Sequence, residues 1–305
     1  MNSNLNTSHL ETGSGLADKF ASHKFIMTVD VDGWPSLLHF YGVAYEYSKA
    51  EPLEKVEEGL QRLIDLFEKH QIFATFFTTG DMARMHPEMI RKISKKGHEI
   101  ACHGFLHLKD EYIVSRIEQE KRLKEATDII EKVVGKRPIG FRAPCLRANE
   151  DTFELLSENG YLYDSSMIPT LIPGYYGYLS SDSKPHWLLN IRNDGFSRKD
   201  VLEIPVSVNP LFRVPMSAAW LRNLGATWVK LGVLMNLSFD NPITLYVHPR
   251  DVLSLPIIKG VPWHLYHNVG LNTLKMLDEV LSYARNHGAS FVRAADLAKV
   301  YHNSY

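Results

Sequence analysis

Residues 72–107, IFATFFTTGDMARMHPEMIRKISKKGHEIACHGFLH, decide the fold. A run rich in β-branched and aromatic residues, IFATFFTT (72–79), precedes a helical pattern closed by glycine, PEMIRKISKKG (87–97), and a second apolar run, HEIAC (98–102). Strand, helix, glycine, strand is one βα unit, and its repetition predicts parallel strands covered by helices. Working outward, candidate strands recur at 24–29, 138–143, 161–166, 201–206, 242–247 and 289–294. Helical patterns recur at 52–70, 115–135, 149–160 and 270–288. In the first of these, Leu60, Leu63, Ile64 and Phe67 keep helical spacing. Gly97, Gly135, Gly160 and Gly288 stand where helices end, as left-handed caps require. The expected fold class is α/β, as an open sheet or a closed barrel.

With 305 residues, 45% of them hydrophobic and 23% charged, the chain has the material for a large core. The pattern favours one domain over residues 23–305, with a less regular stretch at about 170–241. There PGYYGYLSSDSKPHWLLN (173–190) reads as an elaborated loop over a pocket. Residues 1–22 lack an apolar run and read as a flexible tail, neither a signal peptide nor an anchor. No segment has the ~18 consecutive apolar residues of a membrane span. A net charge of −1 offers no general attraction for nucleic acid, so a small or neutral partner is expected. Cys102 and Cys145 make no disulfide framework and fit a reducing cytoplasm.

Polar residues collect where the candidate strands run into loops. Asp30 and Asp32 end the first, His103 and His107 follow HEIAC, Arg142 and Asp164 lie near the ends of their strands, and His248 follows LYV. In α/β folds those ends share one face, where active sites lie. Each residue also has a bland reading. Asp30 and Asp32 could form the turn before Gly33, His103 and His107 could be a capping or surface pair, and His248 could be a satisfied core histidine. Two histidines with a carboxylate from a neighbouring strand would instead leave open positions on a metal ion. Zinc is the first expectation, and the same donors suit iron or cobalt. Arg142 would hold Asp30 ionised through a guanidinium–carboxylate pair, and His248 opposite a carboxylate base would supply a general acid. Cys145 has no dedicated base and reads as a pocket wall.

Together TVDVDG, HGFLH, FRAP, YDSS and LYVHP, in this order, resemble the motifs of the NodB-type polysaccharide deacetylases, carbohydrate esterase family four. The resemblance covers about residues 24–168 and 242–297. It implies a distorted (β/α) barrel of about seven parallel strands and metal-assisted removal of an acyl group, first of all N-acetyl, from an amino sugar or related glycan. By position it implies Asp30 as general base, Arg142 as the arginine that orients it and His248 as catalytic acid. It further implies Asp32, His103 and His107 as metal ligands, for zinc or for cobalt, iron or nickel, and the Cys145 backbone N–H as an oxyanion donor. Asp164 lies near the fourth motif, where it would tune His248. A homo-oligomer is compatible with all of this.

The first motif departs from the common family form. Val31 separates the aspartates and Val29 stands in place of an aromatic residue. That D-x-D form resembles a branch with less conventional substrates, including metal-independent allantoinase-like hydrolases of non-peptide C–N bonds. Both histidines are retained, which favours the metal-dependent reading. A non-catalytic sugar-binding protein, stacking glycans on Tyr175, Tyr176, Tyr178 and Trp187, is the further alternative.

Overall fold

The computed structural model describes residues 19–33, 38, 42, 51–170, 182–191, 197–255, 257 and 259–304. Most of the expected N-terminal tail lies outside them; its end, residues 19–21, is helical, with Ala21 buried.

The strands are β1 (Lys24–Val31), β2 (Thr75–Thr78), β3 (Glu99–Cys102), β4 (Gly140–Phe141), β5 (Tyr163–Asp164), β6 (His186–Ile191), β7 (Ser197–Glu203), β8 (Ile243–Val247) and β9 (Ser290–Phe291). Among the described residues they form one sheet in the order β6-β7-β5-β4-β3-β2-β1-β8, with β9 also on β1. Every pairing is parallel except β6 with β7. The sheet curls: beyond β7, Ser207 N–H donates to Thr244 O of β8 at 3.0 Å. The result is a distorted (β/α) barrel.

Helices α1 (Glu51–Lys69), α2 (Gly80–Met85), α3 (Pro87–Lys95), α4 (Arg116–Val134), α5 (Glu150–Glu158), α6 (Ala218–Leu224), α7 (Ala226–Ser238), α8 (Leu271–Asn286) and α9 (Ala294–Asn303) accompany it. The stripe Leu60, Leu63, Ile64 and Phe67 of α1 is fully buried. Gly135 closes α4 at φ +77°, and its N–H donates to Glu131 O at 2.7 Å. None of these helices is long and apolar enough to cross a membrane, among the described residues.

Side-chain alternation divides each strand between two cores. Phe25, Met27, Val29 and Val31 pack in the large cluster under the helices, whereas Ile26 joins Phe77, Ala101, Tyr163 and Leu202 in a second cluster inside the barrel. Ala294, Leu297, Ala298 and Tyr301 of α9 complete that inner cluster at the end opposite the site. Glu99 fastens α9 there, accepting from Ala295 N–H at 2.9 Å.

The described residues of region 170–241 are more regular than expected; residues 171–181, much of the expected loop over a pocket, and 192–196 lie outside them. The region holds β6, β7, α6 and α7 as well as loop. Helix α7 escaped the sequence reading because it has no polar face: Val229 and Val233 are buried while Leu231 and Leu234 are exposed. Without a polar stripe, the periodicity that marks a helix vanishes.

Candidate active site

One backbone device recurs across the sheet. The residue after each strand donates its N–H to the neighbouring strand, so the ladder overruns by one position. His103 N–H donates to Thr78 O, Arg142 N–H to Cys102 O, Ser165 N–H to Phe141 O and Ile204 N–H to Asp164 O, at 2.8–2.9 Å. The same alternation that sends Ile26 and Ala101 inward sends Asp30, Asp32 and His103 inward. Thus Asp30, Asp32, His103, Arg142 and His248 meet at one end of the barrel, and His107 joins them from the loop after β3.

Arg142 is completely buried and spends four bonds. Its Nη1 donates to Asp30 Oδ1 at 2.7 Å and to Thr28 Oγ1 at 2.9 Å. Nε donates to Ser165 O at 2.9 Å and Nη2 to Ser165 Oγ at 2.7 Å. The guanidinium also lies 4.1 Å from the centre of the Phe77 ring. Burial pushes the Asp30 carboxyl up, but Arg142, followed by His103 and His248, pulls it net below the ordinary carboxylate range.

Asp32 has its own guanidinium, which the sequence reading missed. Arg250 Nη1 donates to Asp32 Oδ1 at 2.5 Å. Burial opposes ionisation, yet Arg250 and then His107 hold the Asp32 carboxyl well below its usual range. The second oxygen, Oδ2, is buried without a hydrogen-bond partner and lies 3.6 Å from His107 Nε2. His103 Nδ1 lies 2.7 Å from Arg142 O. A carbonyl can only accept, so Nδ1 carries the proton and Nε2 presents a lone pair. That Nε2 is likewise buried and unpartnered. Burial lowers the His103 pKa and takes that of His107 to about 3, so both rings are neutral at pH 7. The two rings sit 4.9 Å apart.

These donors fit a divalent ion in kind. Two neutral imidazoles and a carboxylate face one another, with buried acceptors that no proton donor satisfies. The 3.6 Å between Asp32 Oδ2 and His107 Nε2 is too wide for a hydrogen bond. It is close to the roughly 3.3 Å between two ligands of one tetrahedral zinc ion. The side chains are not drawn into a closed shell: among the described residues no three His, Cys, Asp or Glu groups already form a metal cluster. Arg250 takes the other Asp32 oxygen.

His248 follows β8, and Asp251 holds it. Asp251 Oδ2 accepts from His248 N–H at 2.8 Å and lies 3.2 Å from Nδ1. Arg222 Nε approaches Asp251 Oδ1 at 3.1 Å. Asp164 therefore does not serve His248, as the motif resemblance implied. The reason is strand parity: Tyr163 faces the barrel interior, so Asp164 faces out. It accepts from Ser166 Oγ at 2.7 Å and Ser166 N–H at 3.2 Å. Its neighbour Glu203 accepts from Met167 N–H at 3.0 Å, and burial raises both carboxyls. This pair braces the 164–167 turn, whose Ser165 grips Arg142.

Cys145 lies in a turn with φ +53°, followed by Leu146 at +56°. Burial pushes its thiol up to about 12, which leaves no thiolate to act as a nucleophile. Tyr175, Tyr176 and Tyr178 lie outside the described residues; Trp187 packs edge-on to His302 at 4.8 Å.

Several of these partners left a trace in the sequence. Glu203 is a lone carboxylate ending an apolar strand, and Asp251 sits three residues after His248 in a turn. Arg250 left no signal, since its role depends on a residue 218 positions away.

Known proteins resemble this chain in part. Residues 50–163 match the family model for polysaccharide deacetylase. A peptidoglycan deacetylase of Helicobacter pylori is 32% identical over 120 residues, covering 39% of this chain and 41% of that protein. The chain thus spans less than half the length of that curated relative. A structure from Mycobacterium smegmatis assigned to the polysaccharide deacetylases superposes with TM-score 0.68 at 22% identity, over 92% of this chain and 90% of that one. Puue allantoinase superposes with TM-score 0.65 at 20% identity, over 93% and 92%. At those identities the superpositions speak for the fold alone. Over residues 50–163 the sequence thus resembles the polysaccharide deacetylase family, and the superpositions show the same fold over nearly all of the chain.

Proposed function

We propose that the protein is a divalent-metal-dependent hydrolase that removes an N-acetyl group from an amino sugar of a glycan. One observation carries this reading: Asp32 Oδ2 and His103 Nε2 are buried acceptors without a donor, beside an Asp30 carboxylate that is fully ionised at pH 7. Leaving such groups unsatisfied costs roughly 1–3 kcal/mol each, which a bound cation would recover.

Asp32, His103 and His107 would hold the ion, with zinc the choice best suited to two imidazoles and one carboxylate. When bound, it would polarise the acyl carbonyl and bring the pKa of water toward ~7. Asp30 accepts the proton of the attacking water. Arg142 occupies its Oδ1, which leaves Oδ2 for that proton. A carboxylate held below its ordinary range is a weak base, so it needs a water that is already acidified; base and metal readings support each other. The Cys145 N–H donates to the oxygen that becomes negative as the carbonyl turns tetrahedral. His248, oriented by Asp251, donates a proton to the departing amine.

A second reading has one specific observation in its favour. Arg250 places a cation directly on Asp32 Oδ1, one of the candidate ligand oxygens, which would suit metal-free hydrolysis of a cyclic amide or ureide. One experiment separates the two. Metal-stripped protein is assayed for acetate release from N-acetylated chito-oligosaccharides and peptidoglycan fragments, and for allantoin cleavage, before and after adding zinc, cobalt, nickel or ferrous iron. Acetate release restored by about one equivalent of metal is expected. Full turnover of rigorously metal-free protein would favour the second reading and overturn the first.

A further inference from the structure

The loop that carries both histidines is held by a residue with no assigned role. His107 adopts φ +59°, a left-handed conformation that a side chain with a β-carbon disfavours. Glu111, 1% exposed, reaches under this loop. Its Oε1 accepts from Phe105 N–H; Leu106 N–H lies 3.3 Å from Oε1 and 3.1 Å from Oε2; Leu108 N–H donates to Oε2 at 2.9 Å. The amides on both sides of His107 therefore point at one carboxylate. The carboxylate has little room to move: a β-carbon on Gly104 would meet Glu111 Oε1 at 2.8 Å and Pro144 Cγ at 2.7 Å. Arg122 Nη1 anchors the Glu111 backbone, donating to its carbonyl at 3.1 Å.

We propose that Glu111 is a positioning residue for cation binding: its carboxylate locks His107 in the left-handed conformation that turns the ring toward His103 and Asp32, and so sets the affinity of the site for a divalent ion. The proposal rests on the reading of His103 and His107 as ligands. Only a group that accepts at both ends can hold Phe105, Leu106 and Leu108 together. A glutamine, in either orientation, would turn an NH₂ against Phe105 N–H or Leu108 N–H and release one side of the loop.

The test is a zinc titration in competition with a chromophoric chelator, on wild type, Glu111→Gln, Gly104→Ala and Glu99→Gln. Glu111→Gln should weaken zinc binding by about 10–100-fold, the range for partners that orient a metal-binding histidine. Gly104→Ala, which pushes on the same carboxylate from the other side, should weaken it in the same direction and keeps the test open if the glutamine variant does not fold. Glu99→Gln alters another buried carboxylate, at the far end of the barrel, and should leave zinc affinity unchanged while lowering Tm. Wild-type affinity in Glu111→Gln or Gly104→Ala overturns the proposal, as does equal weakening in Glu99→Gln, which would mean general loosening. Wild type that takes up no zinc overturns the metal reading itself.

Discussion

Replacing Arg142 by methionine removes the fully buried cation bonded to Asp30, and the outcome can be worked from its four bonds. Breaking a buried ion pair by deleting one partner costs about 3–5 kcal/mol. Ser165 O loses the Nε donor it accepts from, roughly 1–3 kcal/mol more if it stays unsatisfied. The two hydroxyls suffer less, because Ser165 Oγ still donates to Ile204 O and Thr28 Oγ1 to Leu245 O. The total, about 4–8 kcal/mol, is a large part of the ~5–15 kcal/mol that keeps a domain folded. Its pH dependence is the sharper signature. In wild type the Asp30 carboxyl lies below its ordinary value, so the pair stabilises at neutral pH and fails only as pH falls through that depressed value. Without Arg142, burial dominates and the folded pKa rises above the unfolded ~3.9. Ionised Asp30 then destabilises the variant at neutral pH, and protonation relieves it. The gap between wild type and variant should therefore narrow on acidification, by up to about 1.4 kcal/mol per pH unit between that raised value and ~3.9. Urea unfolding followed by intrinsic fluorescence, at steps from about pH 7 down to about pH 4.5, measures it. Arg142→Lys, which keeps the charge but loses the fork, should show a smaller penalty of about 2–4 kcal/mol and little pH dependence. A pH-independent gap for Arg142→Met, or one under ~1 kcal/mol, would refute the account of Arg142 as the group that keeps Asp30 ionised.

Three further outcomes are expected. Asp30→Asn should keep its zinc while kcat falls by about 10²-fold or more; loss of stoichiometric metal would mean that the two aspartates have exchanged roles. His103→Ala, His107→Ala and Asp32→Ala should each lower metal content, read by elemental analysis of purified protein, and abolish turnover. His248→Ala should damage hydrolysis of an N-acetyl sugar far more than that of an activated aryl acetate, whose leaving group needs little protonation; parallel losses on both substrates would point to a packing role.

Much of this site was legible because chemistry-bearing residues fall at strand ends and strand parity aims them. Asp30 and Asp32 share the inward face with Ile26, and a period of two predicts that without coordinates. Parity also explains why Asp164 bonds Ser166 instead, since it follows inward-facing Tyr163 and points away from the barrel interior. The site partners that stayed hidden share one cause. Arg250, Glu111 and Arg222 stand in no strand-end motif, and only the tertiary arrangement gives each a buried carboxylate or a row of amides to hold. Helix α7 was hidden by the opposite defect, apolar residues where a polar face was needed.

Thr28 Oγ1 accepts from Arg142 and donates to Leu245 O at 3.1 Å, a link across 217 residues of chain. During synthesis the first strand leaves the ribosome long before β8 is made, so Asp30 must wait for a distant segment before its surroundings exist. Contacts this remote in sequence close slowly. A nascent chain stalled before residue 243 would carry Asp30, Asp32, His103, His107 and Arg142 yet lack β8, His248 and Arg250. On the proposed function, the catalytic group at His248 and the guanidinium on Asp32 would join the candidate ligands only once β8 and the turn after it had been made, so a chain stalled earlier would be inert.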